Sequence, residues 1–213
     1  MMNATLVHDL IFYVMYAALA IAVVIIIERT IWFAWTQRQA KQLEKQMTTD
    51  TMTLNELPEA LRRQTSLPVK MIEPVLEKKN GVSSEAMNDI MDAQYLLSKP
   101  AMTRGLWLLE TVVTAAPLLG LLGTVMGIMD TFKALAASGV SDASQVSAGM
   151  GTALFATGLG IAIALLCLVS NNFLQNRMER INELLKVLLL RAATPTRASN
   201  NEGWKEKGVQ RYA

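Results

Sequence analysis

Three stretches of the chain carry no charged residue: Leu10–Ile27, Thr111–Met129 and Ala143–Asn176, of 18, 19 and 34 residues, the last with its apolar heart at Val146–Val169. A hydrocarbon core about 30 Å thick is crossed by roughly 20 apolar residues rising about 1.5 Å each, so every run is long enough to span. The pattern predicts an all-α membrane protein with three transmembrane helices, over residues 10–35, 106–136 and 146–170. Residues 36–105 alternate charged helical stretches with Pro58, Pro68, Pro74, Gly81 and Pro100, and predict a loop of short helices separated at those breakers. Within it, SSEAMNDIMDAQYLL (83–97) has a serine start, early acids and apolar positions at Met87, Ile90, Met91 and Leu97, the spacing of a helix packed on its neighbours. After the third run, Phe173, Leu174, Met178, Ile181, Leu184, Leu185 and Leu188 recur at steps of three and four, predicting a helical extension over 171–193 whose apolar face serves assembly. From Thr194 the chain is polar, and 194–213 reads as a mobile tail.

Charge adds direction to this layout. Residues 1–9 contain no Lys or Arg, 28–105 contain eleven, Lys133 stands alone between the second and third runs, and the chain from Asn171 has eight. Positive residues stay on the cytoplasmic side, which predicts a periplasmic N-terminus (1–9), a cytoplasmic loop (36–105), a periplasmic loop (137–145) and a cytoplasmic C-terminus. The first run is too long, and its flank too poor in positive charge, for a removable signal. Trp32 and Trp35 at one end of that run, and Tyr13 with Tyr16 nearer the other, sit where amphipathic rings favour the headgroup zone. The net charge of only +2 gives no footing for nucleic acid.

The chain has no phosphate-binding loop, no Cys/His cluster with metal spacing and no nucleophile elbow, so neither an enzyme nor a metal or cofactor site is expected. The one histidine, His8, reads as an interfacial group, and the one cysteine, Cys167, as a small packing residue. Glu28, Glu110 and Asp130 are boundary groups; Glu110 is also a candidate for a water-filled inner vestibule or an interface. What the runs do contain is glycine and threonine. Gly120, Gly123 and Gly127 in the second run, and Gly149, Ala153, Ala156, Gly158, Gly160 and Ala164 in the third, permit close helix approach, and Pro117 removes one backbone donor. Measured from the centres of their runs, the Thr124 and Thr157 hydroxyls differ in depth by roughly 6 Å, near enough for a water or a partner carboxylate to reach both. Thr152 is turned about 140° from Thr157, so the two cannot line one narrow path.

APLLGLLGTVMGIMDTF (116–132) resembles the second-helix signature of the TolQ/ExbB/MotA ion-channel family, GMGTALFATGLGIAIAL (149–165) its third-helix signature, and IIIERTIWF (25–33) the end of its first helix. The three-helix layout is more similar to TolQ and ExbB than to the four-helix MotA stators. The resemblance implies a homopentamer in the bacterial inner membrane enclosing the single membrane helix of an ExbD/TolR-like partner that carries an aspartate, with a TonB/TolA-like periplasm-spanning protein beyond it. It implies that a proton or sodium ion crosses at the interface and drives mechanical work, with Thr124 and Thr157 facing the partner aspartate. Thr152 stands where ExbB members often carry a glutamate, which leaves open a different ion, a different branch or a packing substitution. Because threonine does not titrate near neutral pH, the charge carrier is expected from the partner. A rival expectation is a non-conducting scaffold that organises envelope proteins through the same small-residue faces.

Overall fold

The computed structural model describes residues 4–46, 66–78, 81–138 and 143–193. The expectations for Pro58, for the loop residues 139–142, for the tail 194–213 and for the His8 side chain lie outside what is described. Five helices and no strand occur among the described residues: α1 (Ala4–Gln46), α2 (Leu67–Lys78), α3 (Ser84–Thr103), α4 (Leu106–Ser138) and α5 (Ala143–Ala193). Three of them hold segments long and apolar enough to cross a membrane, Asp9–Lys45, Leu106–Ala136 and Val146–Ala193. Only 17–33% of their most apolar windows is buried within the chain, so most of that apolar surface faces outward, as it does where lipid replaces water as solvent.

The chain divides into two compact units, one made of residues 1–30 and 104–175, the other of 31–103 and 176–213. In the first, the order of contacts fixes helix direction. Gly127 lies against Ala153, Gly123 against Ala156 and Gly160 against Ala116, so α4 and α5 are antiparallel. Gly123 also meets Ile11 and Gly105 meets Ile25, so α1 runs antiparallel to α4 as well, and Phe12 stacks on Phe155 of α5 at 6.4 Å. The core is built from Ile11, Met15 and Ala22 of α1, Leu106, Leu109, Val112 and Ala116 of α4, and Ala153, Ala156, Ile163, Cys167 and Leu174 of α5. Gly105, with φ +81°, makes the turn between α3 and α4; a side chain there would be strained. Arg29 is buried beside that turn and pairs with Glu28 at 3.4 Å.

In the second unit, α2 and α3 pack against each other around the Gly81 turn. The serine start read from the sequence holds: Ser83 caps α3, its Oγ accepting from the Ala86 amide at 3.3 Å, with Glu85 in the first turn. Pro74 and Pro100, expected as breakers, instead lie inside α2 and α3. Pro74 forfeits one helix hydrogen bond, but α2 buries Val69, Met71, Ile72, Val75 and Leu76 along one face, and that burial outweighs the lost donor. Pro100 falls in the last turn of α3, where it leaves the Leu96 carbonyl without its helix donor. Met87 is buried as expected, whereas Leu97 is exposed, and Ser98 and Met102 take the inward positions.

The helical continuation after the third run is present in α5. Part of its apolar face, however, is covered within the chain. Ile181, Leu185, Leu188 and Leu189 are buried in this unit's own core with Phe33, Ala40 and Leu43 available from α1, while Phe173, Val187 and Leu190 are the exposed large apolar residues of residues 171–193. Lys186 stands 4.6 Å from the Tyr95 ring centre, and Arg191 pairs with Glu44 at 3.4 Å.

Candidate functional site

The seam between α4 and α5 is set by missing side chains. A Cβ placed on Gly127 would lie 2.9 Å from the Ala153 Cβ, one on Gly123 2.8 Å from the Ala156 Cβ, one on Gly120 2.8 Å from the Ala156 carbonyl oxygen, and one on Gly160 2.5 Å from the Ala116 carbonyl oxygen. Real contacts at those distances are repulsive, so the glycines bring backbone against backbone. Pro117 lies within the continuous α4, next to the Ala116 carbonyl that Gly160 approaches. Gly158 takes no part in this seam: nothing in the chain lies within 4 Å of its would-be Cβ.

Thr124 and Thr157 meet across this seam. Their hydroxyls are hydrogen-bonded to each other, and both reach the Gly120 carbonyl oxygen at 3.1 Å. The Thr124 hydroxyl also lies 3.1 Å from the Ala153 carbonyl oxygen. The roughly 6 Å depth offset expected from the run centres is therefore corrected to direct contact. Charge-free limits mark where side-chain chemistry changes; the interlock of Gly120, Gly123, Gly127 and Gly160 with the facing backbone sets the register.

The hydrogen count matters chemically. Each hydroxyl offers one donor and two lone pairs, so the pair holds two hydrogens against two backbone carbonyls and each other. One threonine donates to its partner and the other to a carbonyl, which satisfies both donors inside the chain and leaves acceptor capacity on the pair. Thr152 behaves differently. It is exposed, and its hydroxyl donates back to the Gly149 carbonyl at 2.9 Å on its own helix.

Three polar residues of the seam were not singled out from the sequence. Thr131 is buried, donates to the Gly127 carbonyl at 2.8 Å and occupies the space that a Gly149 side chain would need. Its signal was spacing, seven residues beyond Thr124 on the same face. Gln175 donates its amide to the exposed Glu110 carboxylate at 2.8 Å. Asn171 is 5% exposed, and among the described residues its Oδ1 has no hydrogen-bond donor. No cluster of His, Cys, Asp and Glu that could hold a metal occurs among the described residues.

Comparison with known proteins bears on this seam. The family model described as the MotA/TolQ/ExbB proton channel family matches residues 60–186, which contain α2, α3, α4 and most of α5. The chain is 33% identical over 138 residues to a putative biopolymer transport protein ExbB homolog of Methanothermobacter thermautotrophicus, covering 64% of this chain and 48% of that one. It is 37% identical over 87 residues to the biopolymer transport protein ExbB of Helicobacter pylori, covering 41% of this chain and 60% of that one. It is 30% identical over 159 residues to the putative biopolymer transport protein ExbB-like 3 of Synechocystis sp., covering 71% of this chain and 74% of that one. The chain thus spans about half to three-quarters of the length of these relatives. With the three membrane-length helices and the matched span containing both Thr124 and Thr157, the chain is a multi-pass membrane protein and belongs to the MotA/TolQ/ExbB proton channel family.

Proposed function

We propose that this chain is the ion-conducting subunit of an inner-membrane motor that couples an ion-motive force to mechanical work on envelope proteins. The observation that carries the reading is the Thr124–Thr157 hydroxyl pair, bridged to the Gly120 carbonyl across a seam that bears no charge of its own. The pair can accept from a carboxylic acid through its remaining lone pairs, and can donate to a carboxylate when one hydroxyl turns away from its backbone carbonyl, and so can follow a carrier through both protonation states while neither threonine titrates. The charge belongs to a partner: an ExbD/TolR-like chain whose membrane helix carries an aspartate, linked onward to a TonB/TolA-like protein that spans the periplasm. Around it the chain assembles as a homopentamer, its outward apolar surface divided between neighbouring copies and lipid.

In this reading the N-terminus and the 137–145 loop are periplasmic, and residues 36–105 and the α5 extension with the C-terminal tail are cytoplasmic, following the distribution of Lys and Arg. The proton is the carrier that the family description favours. Thr152, facing away from the pair, is an interface residue and not a second rung of the path.

Reconstitution with the partner in proteoliposomes tests the proposal. Wild-type complex should show gradient-driven flux, and Thr124→Val with Thr157→Val should abolish it while oligomer mass and partner binding persist. Undiminished flux in the double variant sinks the pathway. A wild-type complex that assembles but carries no flux favours a scaffold.

A further inference from the structure

We propose that Asn171, Gln175 and Glu110 form a second polar station, which holds ordered water and connects the cytoplasmic solution to the inner end of the α4–α5 seam. The inference rests on the conducting role proposed above.

Register leads to it. Glu110 lies 14 residues before Thr124 on α4, and Asn171 lies 14 residues after Thr157 on the antiparallel α5. Fourteen residues are about 21 Å and close to four turns, so both helices return to nearly the same face at the same level. The threonine contact at one level thus places Asn171 beside the Leu109–Glu110 level, and the Gln175–Glu110 hydrogen bond at 2.8 Å confirms that α5 meets α4 there. Between the two levels the seam is lined by Ala116, Gly120, Gly160, Ala164 and Cys167, with no polar side chain among them.

The chemistry of the station comes from an incomplete set of hydrogen bonds. Asn171 is 5% exposed and its Oδ1 lacks a donor among the described residues, whereas buried amide oxygens are normally satisfied by protein or by water. One turn along the same helix, the Gln175 amide faces the exposed Glu110 carboxylate, so one end of the cluster lies at the surface of the chain. A buried water is held by two to four polar partners. Here Asn171 Oδ1 accepts from it, while Glu110 and Gln175 each retain further acceptor capacity after their mutual bond. Thr114 adds polar character on α4, its hydroxyl lying 3.0 Å from the Thr111 carbonyl oxygen and 3.3 Å from that of Glu110. Arg29, at this end of α1, is buried beside Gly105 and paired with Glu28.

The test uses the assembled complex with its partner. With Cys167→Ala removing the chain's one thiol, Asn171→Cys should react with a membrane-impermeant thiol reagent applied from the cytoplasmic side, the labelled site being read by mass spectrometry. An introduced thiol that reacts only after denaturation overturns the proposal. Independently, Asn171→Leu should lower flux by about tenfold, the effect of losing one hydrogen bond on the path, while Asn171→Asp retains most of it. Unchanged flux in a folded Asn171→Leu complex also overturns the station, and if that variant fails to assemble, the labelling result decides alone. Failure here with the Thr124→Val and Thr157→Val pair still abolishing flux removes only the station; normal flux in that pair removes the conducting reading on which it rests.

Discussion

Replacing Gly160 with alanine perturbs the seam where it is tightest. The new Cβ would lie 2.5 Å from the Ala116 carbonyl oxygen, 3.2 Å from the Gly120 Cα and 3.3 Å from the Ala116 carbonyl carbon. All three are backbone atoms, so no side chain can swing away. Restoring an ordinary contact of about 3.4 Å requires the helices to part by about 0.9 Å at this level. The Thr157 hydroxyl, 3.1 Å from the Gly120 carbonyl oxygen, would then stand about 4 Å away, outside hydrogen-bond reach. Overpacking of this kind costs about 1–3 kcal/mol, and the better helix propensity of alanine returns up to about 1 kcal/mol. Each interhelical hydrogen bond lost in a membrane adds about 0.6 kcal/mol, and up to about 1.7. The sum is a destabilisation of about 1–3 kcal/mol. Gly158→Ala supplies the control two residues away, because its Cβ meets nothing within 4 Å. Thermal unfolding of the complex in detergent and gradient-driven flux in proteoliposomes should both fall for Gly160→Ala and hold for Gly158→Ala. If the two variants melt and conduct alike, the seam does not position the threonine pair, and the reasoning fails.

Three further substitutions probe the second unit. Leu188 is fully buried and Leu190 is 58% exposed, so Leu188→Asp should cost several kcal/mol by placing a carboxylate in apolar packing, about the 3 kcal/mol scale or more, while Leu190→Asp should stay within about 0.5 kcal/mol. Melting in detergent separates these outcomes, and native mass spectrometry of Leu190→Asp reads whether copies meet on that face. Arg191→Met removes the pair with Glu44, but the two side chains are 41% and 32% exposed, so the loss should be at most about 1 kcal/mol and should shrink in high salt; a larger, salt-independent loss would assign Arg191 a packing role.

The parts of this fold legible in the sequence are those that single residues determine. A run without charge is long or short whatever it packs against, and Ser83 caps a helix through atoms three residues away; both readings required no knowledge of another segment. The parts that escaped are pairwise. The amphipathic stripe of α5 shows that Leu188 must be covered but not by what, and the covering proved to be the chain's own second unit where a neighbouring copy was expected. Pro74 looked like a break because the lost donor is visible in the sequence, while the apolar burial that offsets it depends on the neighbours of α2.

The site followed the same division. Thr124 and Thr157 stood out as hydroxyls in charge-free runs, yet their contact depends on the Gly–Ala interlock, whose register no single helix encodes. Once that register is known, it constrains everything else along two antiparallel helices, since a contact at one level fixes which residues face each other four turns away. Asn171 is the consequence. In the sequence it is an uncharged residue near the end of a long run; opposite the Leu109–Glu110 level, with an amide oxygen lacking a donor and Gln175 bonded to Glu110 one turn on, it becomes the point where water would have to enter the seam. The charge-free character that made the three runs look alike therefore conceals a difference in polar side chains along α4 and α5, and on that difference the proposed water station rests.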